Sequence, residues 1–101
     1  GFSFGSFIAA TVATEIKTCQ QLISIAPPVH HFDFESLAMP HCPWHVIQGE
    51  CDEIVPPEAV YQFCDARPAI QVTRLPETSH FFHRQLIALK LAVQTSLGVN
   101  V

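Results

Sequence analysis

An α/β fold, with a mostly parallel sheet flanked by helices, is predicted by three features of this 101-residue chain. Short apolar runs at residues 22–26, 44–48 and 70–75 are each closed by turn residues: Pro27-Pro28, Gly49 and Pro76. Runs of that length and punctuation read as strands buried in a sheet. Helical patterns precede, separate and follow them in the order helix, strand, strand, helix, strand, helix, and strands alternating with helices build parallel sheets. Finally, 49% hydrophobic and 14% charged residues fit one globular unit and are too apolar for a disordered tail.

The elements follow in order. From residue 6 to 18, Phe7, Ile8, Ala9, Ala10, Val12, Ala13 and Ile16 make a helix that is apolar on most sides and therefore predicted to be mostly buried. Residues 22–26 form a strand apolar on both faces. Residues 29–43 mix Pro, His, Asp and aromatics with neither period, so they read as a loop with one helical turn near 35–38. The strand at 44–48 ends at Gly49, and an acidic loop runs over 52–57. Pro57 suits the first turn of a helix, which continues over 58–66 with Ala59, Val60 and Phe63 on one face and stops before Pro68. In the strand at 70–75, Ile70, Val72 and Leu75 alternate loosely with polar residues. A loop at 76–80 leads to an amphipathic helix at 82–97, stopped by Gly98.

Charge narrows the partners. Five Lys and Arg against nine Asp and Glu give a net charge of −4, the wrong sign for a surface that tracks phosphates, so no nucleic-acid partner is expected. No apolar run approaches the roughly 18 to 20 residues that cross a bilayer, and the start lacks the basic segment of a secretory signal. A cytoplasmic protein with no membrane partner is expected. Cys19, Cys42, Cys51 and Cys64 have no C-x-x-C spacing and read as free thiols. The chain opens on Gly1 and its one methionine is Met39, which suggests processing or a piece of something longer.

Chemistry concentrates at three places. Gly1-Phe2-Ser3-Phe4-Gly5 is a G-x-S-x-G run directly before a helix. There a serine sits on a tight strand-to-helix turn, glycine on either side avoids collision with the backbone, and the helix N-terminus favours negative charge beside the serine oxygen. The Phe4 N–H is placed to be one donor of an oxyanion hole. The Gly49 turn then delivers carboxylates from Glu50, Asp52 and Glu53 at the carboxyl end of a strand, the edge at which open α/β sheets build sites. After the third strand, the loop containing Ser79-His80 delivers an imidazole to the same edge. His83 is a rival one helical turn on.

This order of serine, acid and histidine at strand tips resembles the C-terminal half of an α/β-hydrolase, near small bacterial esterase-like or dienelactone-hydrolase-like members, over essentially all 101 residues. The resemblance implies that Ser3 is the nucleophile, Asp52 the acid and His80 the base of a cofactor-independent serine hydrolase acting on a carboxylic ester, thioester or related acyl substrate. Phe2, Phe32 and Phe34 are expected to line an apolar pocket, although packing under the loop also accounts for Phe32, Phe34 and Met39. The fold's N-terminal strands, and the loop that gives the second oxyanion donor, lie upstream of Gly1 and are expected from the parent chain or another segment. Without them, residues 22–26 and 44–48 are expected to leave an unpaired edge.

Two other classes remain open: a catalytically silent protein of the same fold that binds a ligand or partner, and an acyltransferase using the same three residues. A metal site is not expected. His30, His31, His41, Cys42 and His45 crowd together but match no recurrent zinc spacing, and three carboxylates at a sheet edge do not by themselves make a cation site.

Overall fold

The computed structural model describes residues 1–82 and 85–97. Three parallel strands, β1 (Leu22–Ile25), β2 (Trp44–Gly49) and β3 (Ile70–Leu75), lie side by side in chain order. Helix α1 (Phe4–Glu15) precedes the sheet, α2 (Pro57–Asp65) connects β2 to β3, and α3 (Leu86–Ser96) follows. The β1–β2 connection carries a single 3-10 turn, Phe34–Ser36, capped by the Asp33 carboxylate, which accepts from the Ser36 N–H. The sheet is therefore the parallel one expected, and the strand positions follow the apolar runs.

Strand periodicity sorts the side chains into two layers. Register places Leu22 beside Trp44 and Ser24 beside Val46. Trp44 and Val46 in turn stand beside Ile70 and Val72. On this face the strands pack with Ala10 and Ala13 of α1, Val60, Phe63 and Cys64 of α2, and Phe34. The alternate residues Ile23, Ile25, Ile47 and Leu75 face the other way and pack with Phe82 and with Leu89, Ala92 and Val93 of α3. The sheet is thus sandwiched between α1 and α2 on one side and α3 on the other.

Three expectations need correction. Helix α1 is not mostly buried: Ser6, Ala10 and Ala13 are, whereas Phe4, Ile8, Val12 and Ile16, spaced four apart on one face, are exposed. One sheet covers only one side of a helix, however apolar the other side is. Helix α3 begins at Leu86, not at 82; Phe82 has φ 58°, which a right-handed helix does not admit. Its amphipathic face is only half-covered, with Leu86 and Ile87 well exposed. The proposed stop at Gly98 lies outside the described residues. Last, β2 is no edge strand but the centre of the sheet, paired on both sides. Leu22–Ile25 and Ile70–Leu75 are the two edges among the described residues, and Gly1 to Ser3 lie along the outer flank of the first: the Gly1 amino group donates to Ile23 O at 2.8 Å, Ile25 N–H to Gly1 O at 2.9 Å and Ser3 N–H to Ile25 O at 2.8 Å.

Candidate functional site

Ser3 stands where that short extended stub turns into α1. Its backbone has φ 54° and ψ −124°, a region that non-glycine residues seldom occupy and that costs on the order of 1–3 kcal/mol to hold. Neighbouring structure holds it there. The stub is tied to Ile25 on one side, and on the other the Ser6 N–H donates to Ser3 O at 2.9 Å, so helix and strand start within one residue of each other. The turn needs Gly1, because a Cβ there would come 2.4 Å from Gly5 O. The same argument fails for Gly5, whose Cβ would meet nothing within 4 Å among the described residues. Phe4 is the first residue of α1, and the N–H groups of a first helical turn have no intrahelical acceptor.

The other two residues come from loops after β2 and β3, at the carboxyl edge of the sheet. His80 is buried and its Nε2 lies 3.0 Å from Ser3 Oγ, while its Nδ1 lies 2.8 Å from Asp52 Oδ2. Asp52 is surrounded by donors. Ile54 and Val55 N–H groups donate to Oδ1 at 2.8 and 2.6 Å, and the Gln48 amide donates to Oδ2 at 3.2 Å. A carboxylate receiving three such bonds is an acceptor throughout, so the proton of the fourth sits on His80 Nδ1. Nε2 is then left with its lone pair toward the Ser3 hydroxyl. The arrangement can draw a proton off a serine oxygen.

Why these loops meet is legible at Gly49. A Cβ at that position would stand 2.3 Å from Thr78 O, so only glycine allows the two loops to approach this closely. They are then laced together: Cys51 N–H donates to Thr78 O at 3.0 Å and Glu50 N–H to Leu75 O at 2.9 Å. Of the rival carboxylates, Glu53 accepts from the His80 backbone N–H at 3.3 Å and does not reach the ring, and Glu50 is exposed. His83 lies outside the described residues.

An apolar cleft of about 270 Å³ opens beside Ser3, walled by Phe4, Pro28, Phe32, Ile54 and Val55 with His30 and His31 at its side. Phe32 is thus in the wall, and Phe2 instead packs against the His80 ring, centroids 5.2 Å apart. Phe34 was expected to line the pocket and does not. It is fully buried, wedged edge-on between Phe7 and Phe63, because the 3-10 turn points it into the core. Sequence reasoning missed Gln48 and the glycine-dependent contact at Gly49. A polar residue between the apolar Val46-Ile47 pair and a glycine turn was the available signal. Among the described residues, no three His, Cys, Asp or Glu side chains gather as a metal-ligand set.

The same architecture recurs in solved structures. An α/β serine hydrolase without lid from Xanthomonas campestris is 45% identical, and the match covers 96% of this chain and 44% of that one with a TM-score of 0.88. The chain has the α/β-hydrolase fold. An α/β serine hydrolase homologue from Coxiella burnetii is 42% identical, with 94% of this chain and 46% of that one covered and a TM-score of 0.85. The chain therefore spans about half the length of these α/β-hydrolases, and it carries the C-terminal half of the fold. Among curated proteins, an uncharacterised one from Rickettsia prowazekii is 38% identical over 58 residues, 54% of this chain and 24% of that protein. No family model matches. No helix among the described residues is long and apolar enough to cross a membrane.

Proposed function

We propose that this α/β-hydrolase chain carries the nucleophile, base and acid of a serine hydrolase that cleaves carboxylic esters, thioesters or related acyl bonds. The observation that carries the reading is Ser3, held in left-handed backbone with its hydroxyl 3.0 Å from His80 Nε2. A serine hydroxyl is barely ionised near neutral pH, so attack on a carbonyl carbon requires a base to take its proton as the bond forms. His80 does so. The new oxyanion takes a hydrogen bond from the Phe4 N–H, the alkoxide or thiolate leaves with the proton from His80 Nε2, and an acyl-Ser3 ester remains. Water, deprotonated by the same nitrogen, attacks that ester and releases the acid. Asp52 holds the imidazole tautomer and stabilises the imidazolium in both halves.

Two further parts of the reading rest on the outer flank of Leu22–Ile25, where the Gly1–Ser3 stub continues the sheet. We propose that a further segment, of the parent chain or another, extends the sheet beside that stub and supplies the second oxyanion donor. Cytoplasmic location and a small acyl substrate complete the proposal. The cleft of about 270 Å³ suits a short acyl chain or an aromatic group, and it is walled by Phe4 and Phe32. In the full-length protein, turnover of acyl esters of increasing length should fall once the chain outgrows this cleft. Ser3→Ala should remove turnover of all of them, and an active Ser3→Ala protein would overturn the assignment.

A further inference from the structure

The sulfurs of Cys19 and Cys42 lie 3.6 Å apart, with the Cys42 thiol donating to its neighbour. Cys19 donates in turn to Gln21 O at 3.4 Å, which holds its sulfur in place. Both thiols are partly exposed. Cys19 stands just before β1 and Cys42 just before β2, and between them Leu22 N–H donates to Pro43 O at 2.9 Å. The pair therefore bridges the amino-terminal ends of two adjacent parallel strands. Ser3, Asp52 and His80 stand at the opposite edge, so this site is separate from the one described above.

We propose that Cys19 and Cys42 form a thiol–disulfide exchange site that closes into an intramolecular bond when a small oxidised disulfide, such as oxidised glutathione, is present. One cysteine thiolate attacks a glutathione sulfur, forming a mixed disulfide and releasing one glutathione thiolate, which takes up a proton. The second cysteine thiolate then attacks the protein-side sulfur, breaking the mixed bond and releasing the second glutathione. In sum, two protein thiols give up two electrons and two protons, and one oxidised glutathione becomes two reduced ones. Closure from contact distance to a bond of about 2.05 Å asks each sulfur to move by under about 1 Å, within reach of side-chain rotation.

The surroundings select this pair. Burial, and then the Cys19 thiol beside it, push the Cys42 thiol up, so exchange should quicken as pH rises above neutral. Cys64 is buried in the core and pushed up to about 11, chiefly by burial, which leaves it inert. Cys51 is exposed, at the far edge beside Asp52, and offers an adduct site without a bridge. The closed loop would run through β1 and the whole connection to β2. It would restrict the unfolded chain while leaving the carboxyl edge of the sheet alone.

The test is a series of oxidised-to-reduced glutathione ratios on the full-length protein at pH 8, followed by alkylation, chymotryptic cleavage at Phe32 and Phe34, and mass spectrometry. The expected result is one linked pair of peptides containing Cys19 and Cys42, reversed by dithiothreitol. Tm of the oxidised protein should rise by about 5–15 °C. Cys19→Ser and Cys42→Ser should each abolish the rise. Separate glutathione adducts on the two residues, continued alkylation of both, or a linked protein with unchanged Tm would overturn the proposal.

Discussion

At the scale of single residues, the site depends on side chains that hold other side chains. Asp52 shows this best, since four donors converge on one buried carboxylate and only one of them is the imidazole. Asp52→Asn would place an amide where acceptors are needed, and turnover should fall on the order of 10³–10⁴-fold. Glu50→Gln and Glu53→Gln should each stay within a few-fold in the same kinetic assay, because neither carboxylate touches the His80 ring. Gln48 is the positioning residue that orients Asp52. Its amide nitrogen sits between Gly49 O and Asp52 Oδ2, at 3.0 and 3.2 Å, which forces its oxygen into a buried spot with no partner among the described residues. Gln48→Met keeps the volume and removes both the donor and that orphaned oxygen. Turnover should drop by about tenfold while the urea midpoint falls only modestly, since losing one bond to a carbonyl and one to a carboxylate costs about 2–4 kcal/mol and removing the orphaned oxygen recovers about 1–3 kcal/mol of it. A large loss of stability with unchanged turnover would show that Gln48 serves the core alone.

At the scale of elements, loops and strands explain both what could be read from the chain and what could not. The three strands were legible because each is a short apolar run bounded by Gly or Pro, and the serine and histidine were legible because each stands directly at the end of such an element. Strand order was not. Nothing local to residues 44–48 distinguishes a central strand from an edge strand, because pairing is decided by contacts far along the chain. The start of α3 was also hidden: apolar spacing continues back to Phe82, and only the left-handed backbone of Phe82 reveals that the helix has not yet begun. Phe34 and Phe32 have the same chemistry two residues apart, yet one is in the core and the other in the cleft wall. The turn that separates them leaves no periodic trace.

Two predictions belong to these elements. Gly49→Ala would drive a methyl group into Thr78 O and push the β3–α3 loop away from β2. Stability should fall by about 1–3 kcal/mol in urea unfolding, and turnover should fall with it as His80 moves from Ser3. On β2, the half-buried His45 bonds Thr73 Oγ1 through Nε2 at 2.7 Å, and burial lowers its pKa from the ordinary histidine value of 6.5. The unfolded chain then binds a proton at a higher pH than the folded one. Stability from this group is therefore complete above about pH 6.5 and is lost as pH falls below it toward the depressed folded value. His45→Gln should flatten that part of the pH–stability curve, measured as urea midpoints between pH 7.5 and 5. An unchanged slope would place the acid sensitivity elsewhere.

For the whole molecule, one stretch of apolar surface runs along α1 and β1, besides the exposed Ile54, Phe81, Leu86 and Ile87 elsewhere. Val12, Ile16, Cys19, Leu22 and Ile23 wall a groove of about 460 Å³ that runs beside β1 to Gly1, and Ile8 lies exposed on the same helix as Val12. Covering a side chain of this kind is worth roughly 1.5–3 kcal/mol, a large share of the 5–15 kcal/mol that holds a domain together. A segment that extends the sheet and covers Val12, Ile16 and Ile23, leaving Cys19 open at the amino-terminal end of β1, should accordingly convert residues 1–101 from an aggregation-prone chain into one that unfolds cooperatively, followed by light scattering and denaturant titration. A soluble, cooperatively unfolding, ester-hydrolysing monomer made of these residues alone would remove the need for that segment. The central claim, that Ser3 is the nucleophile, is tested most directly by treating the full-length protein with a fluorophosphonate and locating the adduct by peptide mass spectrometry. A single phosphonylated site at Ser3 is expected, lost in Ser3→Ala and slowed in His80→Gln; an adduct on another residue, or labelling that persists in Ser3→Ala, would show that Ser3 is not the nucleophile.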